Sequence, residues 1–231
     1  MGESLETAPE FFDRISARYT SAIERCVPRY REMLWALLYY LPDELAAPRR
    51  VLELGCGSGN LSLLLRAKFP GAELTLVDAS GQLLEECRGR LAESEGLDFR
   101  QEDFRELAFE PGHFDLAISS ISLHHLKDDE KSRLFARLHE WLRPGGCWTY
   151  SDQFAGETPE LYEKHLSEWE RQSRALGATD EEWIDWMRHQ READHHAPLR
   201  AQLRWMESAG FVSLDCPWRH LLWTIVQGRK R

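Results

Sequence analysis

Between Val51 and Asn60 the chain reads Val-Leu-Glu-Leu-Gly-Cys-Gly-Ser-Gly-Asn, an apolar run followed by three glycines at alternate positions. Glycine permits a tight turn there and lets backbone amides come close to a ligand, while the helix that follows presents its positive end. A second acid, Asp78, closes the next apolar run, Leu74 to Val77. A carboxylate at a strand end is suited to accept bonds from both hydroxyls of a ribose. A nicotinamide dinucleotide fits less well, because its fingerprint needs glycine at the sixth position of the turn, where Asn60 stands.

Further groups that could move protons lie later. The run Ser119-Ser120-Ile121-Ser122-Leu123-His124-His125 ends another apolar strand, and Asp152 ends the next. His124, His125 and Asp152 are the candidate bases, worth about 10²- to 10⁴-fold if an acceptor must lose a proton. A metal set can be drawn from Asp185, His189 and His195. Histidines on a helical surface are ordinarily solvated, so no metal is expected.

The elements that must position these groups alternate in period. Helical spacing covers residues 9–24 and 28–41; from Arg50 strand and helix then alternate, with strands at 51–54, 74–77, 97–101, 114–119 and 147–152. This is the pattern of parallel βαβ units. A polar helical stretch, 157–196, interrupts it before a helix at 199–209 and two closing strands at 211–216 and 220–226. The expectation is an α/β, Rossmann-like, mostly parallel seven-stranded sheet with helices on both faces. Residues 1–48 form an amino-terminal helical cap, 49–156 and 197–231 the core, and 157–196 a helical lid.

Composition narrows the partners. The 231 residues carry a formal net charge of -10, which argues against broad capture of a nucleic acid backbone. Arg29, Arg31, Arg49 and Arg50 are the nearest thing to a basic face. Five scattered cysteines suggest neither disulfides nor zinc. No run approaches the roughly 18 apolar residues of a membrane span, so a cytoplasmic location without membrane partners is expected.

In order, Glu53-x-Gly-Cys-Gly-Ser-Gly-Asn, Leu76-Val77-Asp78, Glu102-Asp103-Phe104 and Phe114-Asp115-Leu116 to His125 resemble the class I S-adenosylmethionine-dependent methyltransferase family over about residues 50–152. The resemblance implies S-adenosyl-L-methionine as cofactor. It implies that Gly55, Cys56, Gly57 and Gly59 cradle its methionine half and that Glu53 supports the ammonium. Asp78 and Ala79 would meet the ribose, Asp103 and Phe104 the adenine, and Ser119 and Ser120 the region of the methyl. The run Phe12-Asp13 to Tyr19 and Val27-Pro28-Arg29-Tyr30 is similar to the carboxy-S-adenosylmethionine synthase branch, which implies cofactor contacts for Tyr19 and Tyr30. Ser120 replaces an asparagine of that branch.

The implied activity is methyl transfer to a small-molecule acceptor. Carboxylation of the cofactor, its cyclisation with release of methylthioadenosine, and methylation of tRNA or protein stand as alternatives. A non-catalytic binding module or an oxidoreductase would be told apart by failure to bind the cofactor. Whether the chain forms a homodimer stays open.

Overall fold

The computed structural model describes residues 7–45 and 47–231, apart from the side chains of Ala17 and Arg18. Residues 1–6 and 46 of the expected cap lie outside the described residues.

The central strand β1, Arg50–Leu54, is apolar in its buried part except for Glu53, because both faces of the sheet are covered. It pairs in parallel with β2, Glu73–Asp78, on one side and with β4, Phe114–Ser120, on the other. Outside β2 lies β3, Leu97–Gln101, and outside β4 lies β5, Leu142–Gln153, both parallel to their neighbours. The antiparallel pair of β6, Val212–His220, and β7, Trp223–Arg229, completes the order β3-β2-β1-β4-β5-β7-β6. Strand order reverses between β1 and β4. The crevice beyond their carboxyl ends is where an open sheet of this kind holds a ligand.

Helices pack on both faces. On one, α1 (Ala8–Cys26), α2 (Tyr30–Tyr39), α3 (Asn60–Lys68) and α4 (Gly81–Arg90) bury Ile23, Met33, Leu37, Leu65 and Cys87. On the other, α5 (Asp128–Trp141) and α8 (Leu199–Ser208) bury Leu134, Phe135, Leu138 and Met206. The polar stretch forms two helices, α6 (Pro159–Ala175) and α7 (Asp180–Ala193), separated at Gly177 with φ +93°.

These two helices hang on the end of α1. Trp169 Nε1 and Ser173 Oγ both donate to the Cys26 carbonyl, at 2.6 and 3.0 Å. Arg25 pairs with Glu182, and Arg14 with Asp185 at 3.2 Å. Trp169 stands edge-on to Trp183 and Trp223, with centroids 4.8 and 5.1 Å apart. Among the described residues no helix is long and apolar enough to cross a membrane.

Two boundaries differ from the sequence expectation. β5 begins at Leu142 rather than 147, because Pro144-Gly145-Gly146 lies inside the strand, beside an irregular register with β4 between Phe114 and Leu116. The closing hairpin runs several residues later than its apolar pattern suggests, since β6 carries two register shifts. Strand proline and glycine gather at such irregularities.

Candidate active site

The glycine turn is pinned to β2: the N–H groups of Gly55 and Cys56 both donate to the Val77 carbonyl, at 2.8 and 3.0 Å. Gly55, at φ +68°, packs so closely on Ser122 that a Cβ would fall 2.4 Å from its side chain. Gly57, at φ +52°, faces open space, and a Cβ there meets nothing nearer than Tyr19 Cε1 at 3.9 Å. Gly59 caps α3 at φ +87° and serves packing, for a Cβ would lie 2.8 Å from Cys87 Sγ.

Two cavities adjoin at this turn, sharing Tyr19, Gly55 and Gly57 as walls. The larger is lined by Phe12, Asp78, Ala79, Asp103, Phe104 and His125 among others. The smaller is lined by Tyr30, Glu53, Cys56 and Ser120. Together they make one elongated cleft across the carboxyl ends of β1, β2 and β4.

Its carboxylates differ in environment. Glu53 is buried and accepts from Ser62 Oγ at 2.7 Å; burial lifts its pKa well above the usual carboxylate range. Asp78 accepts one backbone N–H on each oxygen, Gly57 on Oδ2 and Ser80 on Oδ1, both at 2.8 Å. Burial raises its pKa to about 6 against the pull of those donors. Each oxygen keeps a second lone pair for a ligand hydroxyl. Asp103 is clasped by Arg105 through Nε and Nη2 at 2.9 and 2.5 Å, which holds it below its ordinary value.

The wall after β4 turns sharply: Ile121 has φ 53°, an uncommon conformation for a β-branched residue, and its N–H is held by the Ser151 carbonyl at 2.8 Å. Ser119 is fully buried, with Oγ donating to the Leu54 carbonyl at 2.7 Å, so it braces the turn from behind. His125 lines the cleft; His124 points away from it, with Nδ1 2.5 Å from Asp152 Oδ1. Burial works against a charged His124, yet Asp152 and Asp194 together raise its pKa. Asp152 also accepts the N–H groups of Leu123 and His124 at 2.7 and 3.1 Å, fixing the loop.

Sequence reasoning left out Asp13, which accepts from Ser80 Oγ and bears on Asp78, and Arg105, which competes for Asp103. No local pattern marks either. The set Asp185, His189 and His195 is not brought together: Asp185 pairs with Arg14 and Arg188.

The geometry suits S-adenosylmethionine. Gly57 leaves a cradle that any side chain would fill, Glu53 offers a desolvated acid to the smaller cavity, and Asp78 offers spare lone pairs in the cavity that Phe104 also lines.

Comparison with known proteins agrees. Residues 51–146 match the family model described as "Methyltransferase domain". The trans-aconitate 2-methyltransferase of Methylobacterium nodulans is 42% identical over 103 residues, 45% of this chain and 38% of that protein. The carboxy-S-adenosyl-L-methionine synthase of Shewanella loihica is 24% identical over 153 residues, 64% of this chain and 62% of that protein. The chain thus spans between about two fifths and three fifths of the length of these curated relatives. Among solved structures, a phosphoethanolamine N-methyltransferase 2 of Haemonchus contortus in complex with phosphomonomethylethanolamine and S-adenosylhomocysteine superposes with a TM-score of 0.68. It is 18% identical and covers 96% of this chain and 59% of its own. The fold is that of the class I S-adenosylmethionine-dependent methyltransferases. Within that fold, the stretch that resembles a methyltransferase domain, residues 51–146, holds the glycine turn, Asp78, Asp103 and His125.

Proposed function

We propose that the protein transfers the methyl group of S-adenosylmethionine to a small-molecule acceptor. The observation that carries this reading is Asp78, its two oxygens each half occupied by backbone donors, facing the same cleft as Gly57 and Phe104. The bound cofactor supplies an electrophilic methyl on a sulfonium, which an acceptor attacks in line. The protein's part is alignment and exclusion of water. α1 closes one side of the cleft with Phe12 and Tyr19, and the end of α7 contributes Ala193, leaving a narrow chamber walled by Ile121, His125 and Leu126. Such a chamber suits a small molecule better than a folded protein or an RNA duplex.

Modification of the cofactor itself is a second reading, supported by Tyr19 and Tyr30 lining the cavity at the Glu53 end. The test is calorimetric titration with S-adenosylmethionine and S-adenosylhomocysteine, with mass spectrometry of the cofactor incubated alone and with small acids, amines and phenols. Binding followed by acceptor-dependent formation of S-adenosylhomocysteine supports the first reading. A carboxylated cofactor or methylthioadenosine formed without acceptor moves the assignment to the second, and failure to bind either nucleoside overturns both.

A further inference from the structure

Behind the cleft four imidazoles converge on one buried carboxylate. Asp194, its side chain only 3% exposed, follows directly on α7. Its Oδ1 lies 3.2 Å from His125 Nδ1, 3.7 Å from His124 Nε2 and 3.8 Å from His189 Nε2, and its Oδ2 lies 3.4 Å from His196 Nε2. None of these is a well-aligned hydrogen bond: Asp194 Oδ1, both ring nitrogens of His125 and Nε2 of His196 lack one, although His125 and His196 still interact with the Asp194 charge. Buried polar atoms seldom go unpaired without a reason.

Coordination supplies the reason. Imidazole nitrogen and carboxylate oxygen each sit about 2.0–2.2 Å from a zinc-like ion, so two of them at the tetrahedral angle lie about 3.4 Å apart. The observed separations bracket that edge. Donor atoms of His124, His125 and Asp194 all fall within 4.8 Å of one another. The outer contacts suit a metal as well. His124 gives Nδ1 to Asp152 at 2.5 Å, which turns Nε2 inward as the ligating atom. His196 has Nδ1 2.6 Å from Tyr162 Oη and likewise turns Nε2 inward. A carboxylate behind a ligating histidine is the usual support of such a centre. A nitrogen lone pair aimed at a carboxylate is repulsive unless a proton or a metal cation lies between them.

We infer that His124, His125 and Asp194 bind one divalent first-row transition ion, with Asp152 as the outer partner of His124. Because His125 also lines the cleft, a remaining coordination position can face the acceptor chamber. Nitrogen and oxygen donors in this mixture suit zinc, iron, cobalt or nickel over magnesium or calcium. This reverses the expectation of no metal. Residues about 70 positions apart build the centre, His124 and His125 from the turn after β4 and Asp194 from the end of α7.

The test uses the full chain, free of any affinity tag and treated with chelator. It is titrated with Co²⁺ while visible absorption is followed, then competed with Zn²⁺, and bound metal is counted after gel filtration. One ion per chain is expected, with cobalt bands characteristic of nitrogen and oxygen donors. Asp194→Asn and His124→Gln should each weaken binding at least about 100-fold, and Asp152→Asn about 10- to 100-fold. Asp185→Asn, on the outer part of α7, should leave it unchanged. Near-ultraviolet circular dichroism checks that each variant is folded. Wild-type protein that retains less than about a tenth of an ion overturns the inference, as does binding that survives both Asp194→Asn and His124→Gln. Neither result bears on cofactor binding, which is read separately.

Discussion

The backbone N–H of Gly57 donates to Asp78 Oδ2 at 2.8 Å, tying the open part of the glycine turn to the end of β2. One carboxylate thereby orders the loop and keeps its remaining lone pairs for a ligand. Asp78→Ala should weaken S-adenosylmethionine and S-adenosylhomocysteine equally, by more than about tenfold or 1.4 kcal/mol, because the contact lies away from the methyl group. Calorimetry on the two nucleosides checks it, and unchanged affinity removes the ribose assignment.

The same residue makes binding depend on pH. Burial lifts Asp78 to about 6, so the carboxylate that accepts hydroxyl bonds is lost as pH falls through that value. Affinity for S-adenosylhomocysteine should decline between pH 7 and pH 5, approaching about tenfold per unit at the acid end. Stability without ligand responds in the opposite sense. The folded state binds more protons than the unfolded chain between the ordinary value of 3.8 and about 6, so this group favours folding more at pH 4.5 than at pH 7. Asp78→Asn should flatten both slopes, separating them from the titration of histidines.

Glu53 should bear on binding more than on folding. Its side chain is 1% exposed and its acid form is favoured by burial, so Glu53→Gln keeps the shape and the bond from Ser62 while removing a latent charge. Melting temperature should hold or rise, whereas affinity for S-adenosylmethionine should fall at least about tenfold. Methylthioadenosine, which has no ammonium, should bind both proteins alike. Equal losses for both ligands would place the ammonium elsewhere.

The parts of the site legible in the sequence are those written locally. β1, the glycine turn and Asp78 follow one another within a single βαβ unit, and a strand buried on both faces declares itself by a nearly continuous apolar run. Glycine types mark positive φ but not its purpose: Gly57 opens toward a ligand and Gly59 toward Cys87, and only the packing tells them apart. Ser119 lies beside Ser120 in sequence, yet the strand's alternation turns Ser119 to the Leu54 carbonyl and Ser120 to the cavity. The meeting of Asp194 and His196 with His124 depends on how α7 returns to the sheet, which no short spacing encodes.

The attachment of α6 to α1 should behave as a joint. Trp169 and Ser173 share the Cys26 carbonyl. Trp169→Phe keeps an apolar ring but leaves the joint one donor short, at a cost of about 1–3 kcal/mol with the lost packing included. Adding Ser173→Ala deprives the buried carbonyl of both donors, so the double variant should lose more than the sum of the single losses. Urea unfolding of the four proteins gives the coupling, and strict additivity would mean the two donors act independently.

Gly57 and Gly59 offer the sharpest separation of binding from packing, because they are two residues apart in one turn and share a left-handed backbone. Alanine at either position meets a comparable backbone penalty, about 1–2 kcal/mol. At Gly59 the new methyl also strikes Cys87, 2.8 Å from Sγ and 3.3 Å from Cα, so α4 must move and the total loss should exceed about 2 kcal/mol. At Gly57 the methyl enters the cleft with only Tyr19 near it, at 3.9 Å, so little is added to the backbone penalty. Gly59→Ala should therefore be the less stable protein in urea, yet bind S-adenosylhomocysteine within about threefold of the parent while folded. Gly57→Ala should be the more stable variant and the poorer binder, by at least about tenfold, since its methyl occupies space a ligand must fill. If the two exchange roles, the cradle lies at Gly59 and the cofactor sits deeper in the turn than the cleft implies.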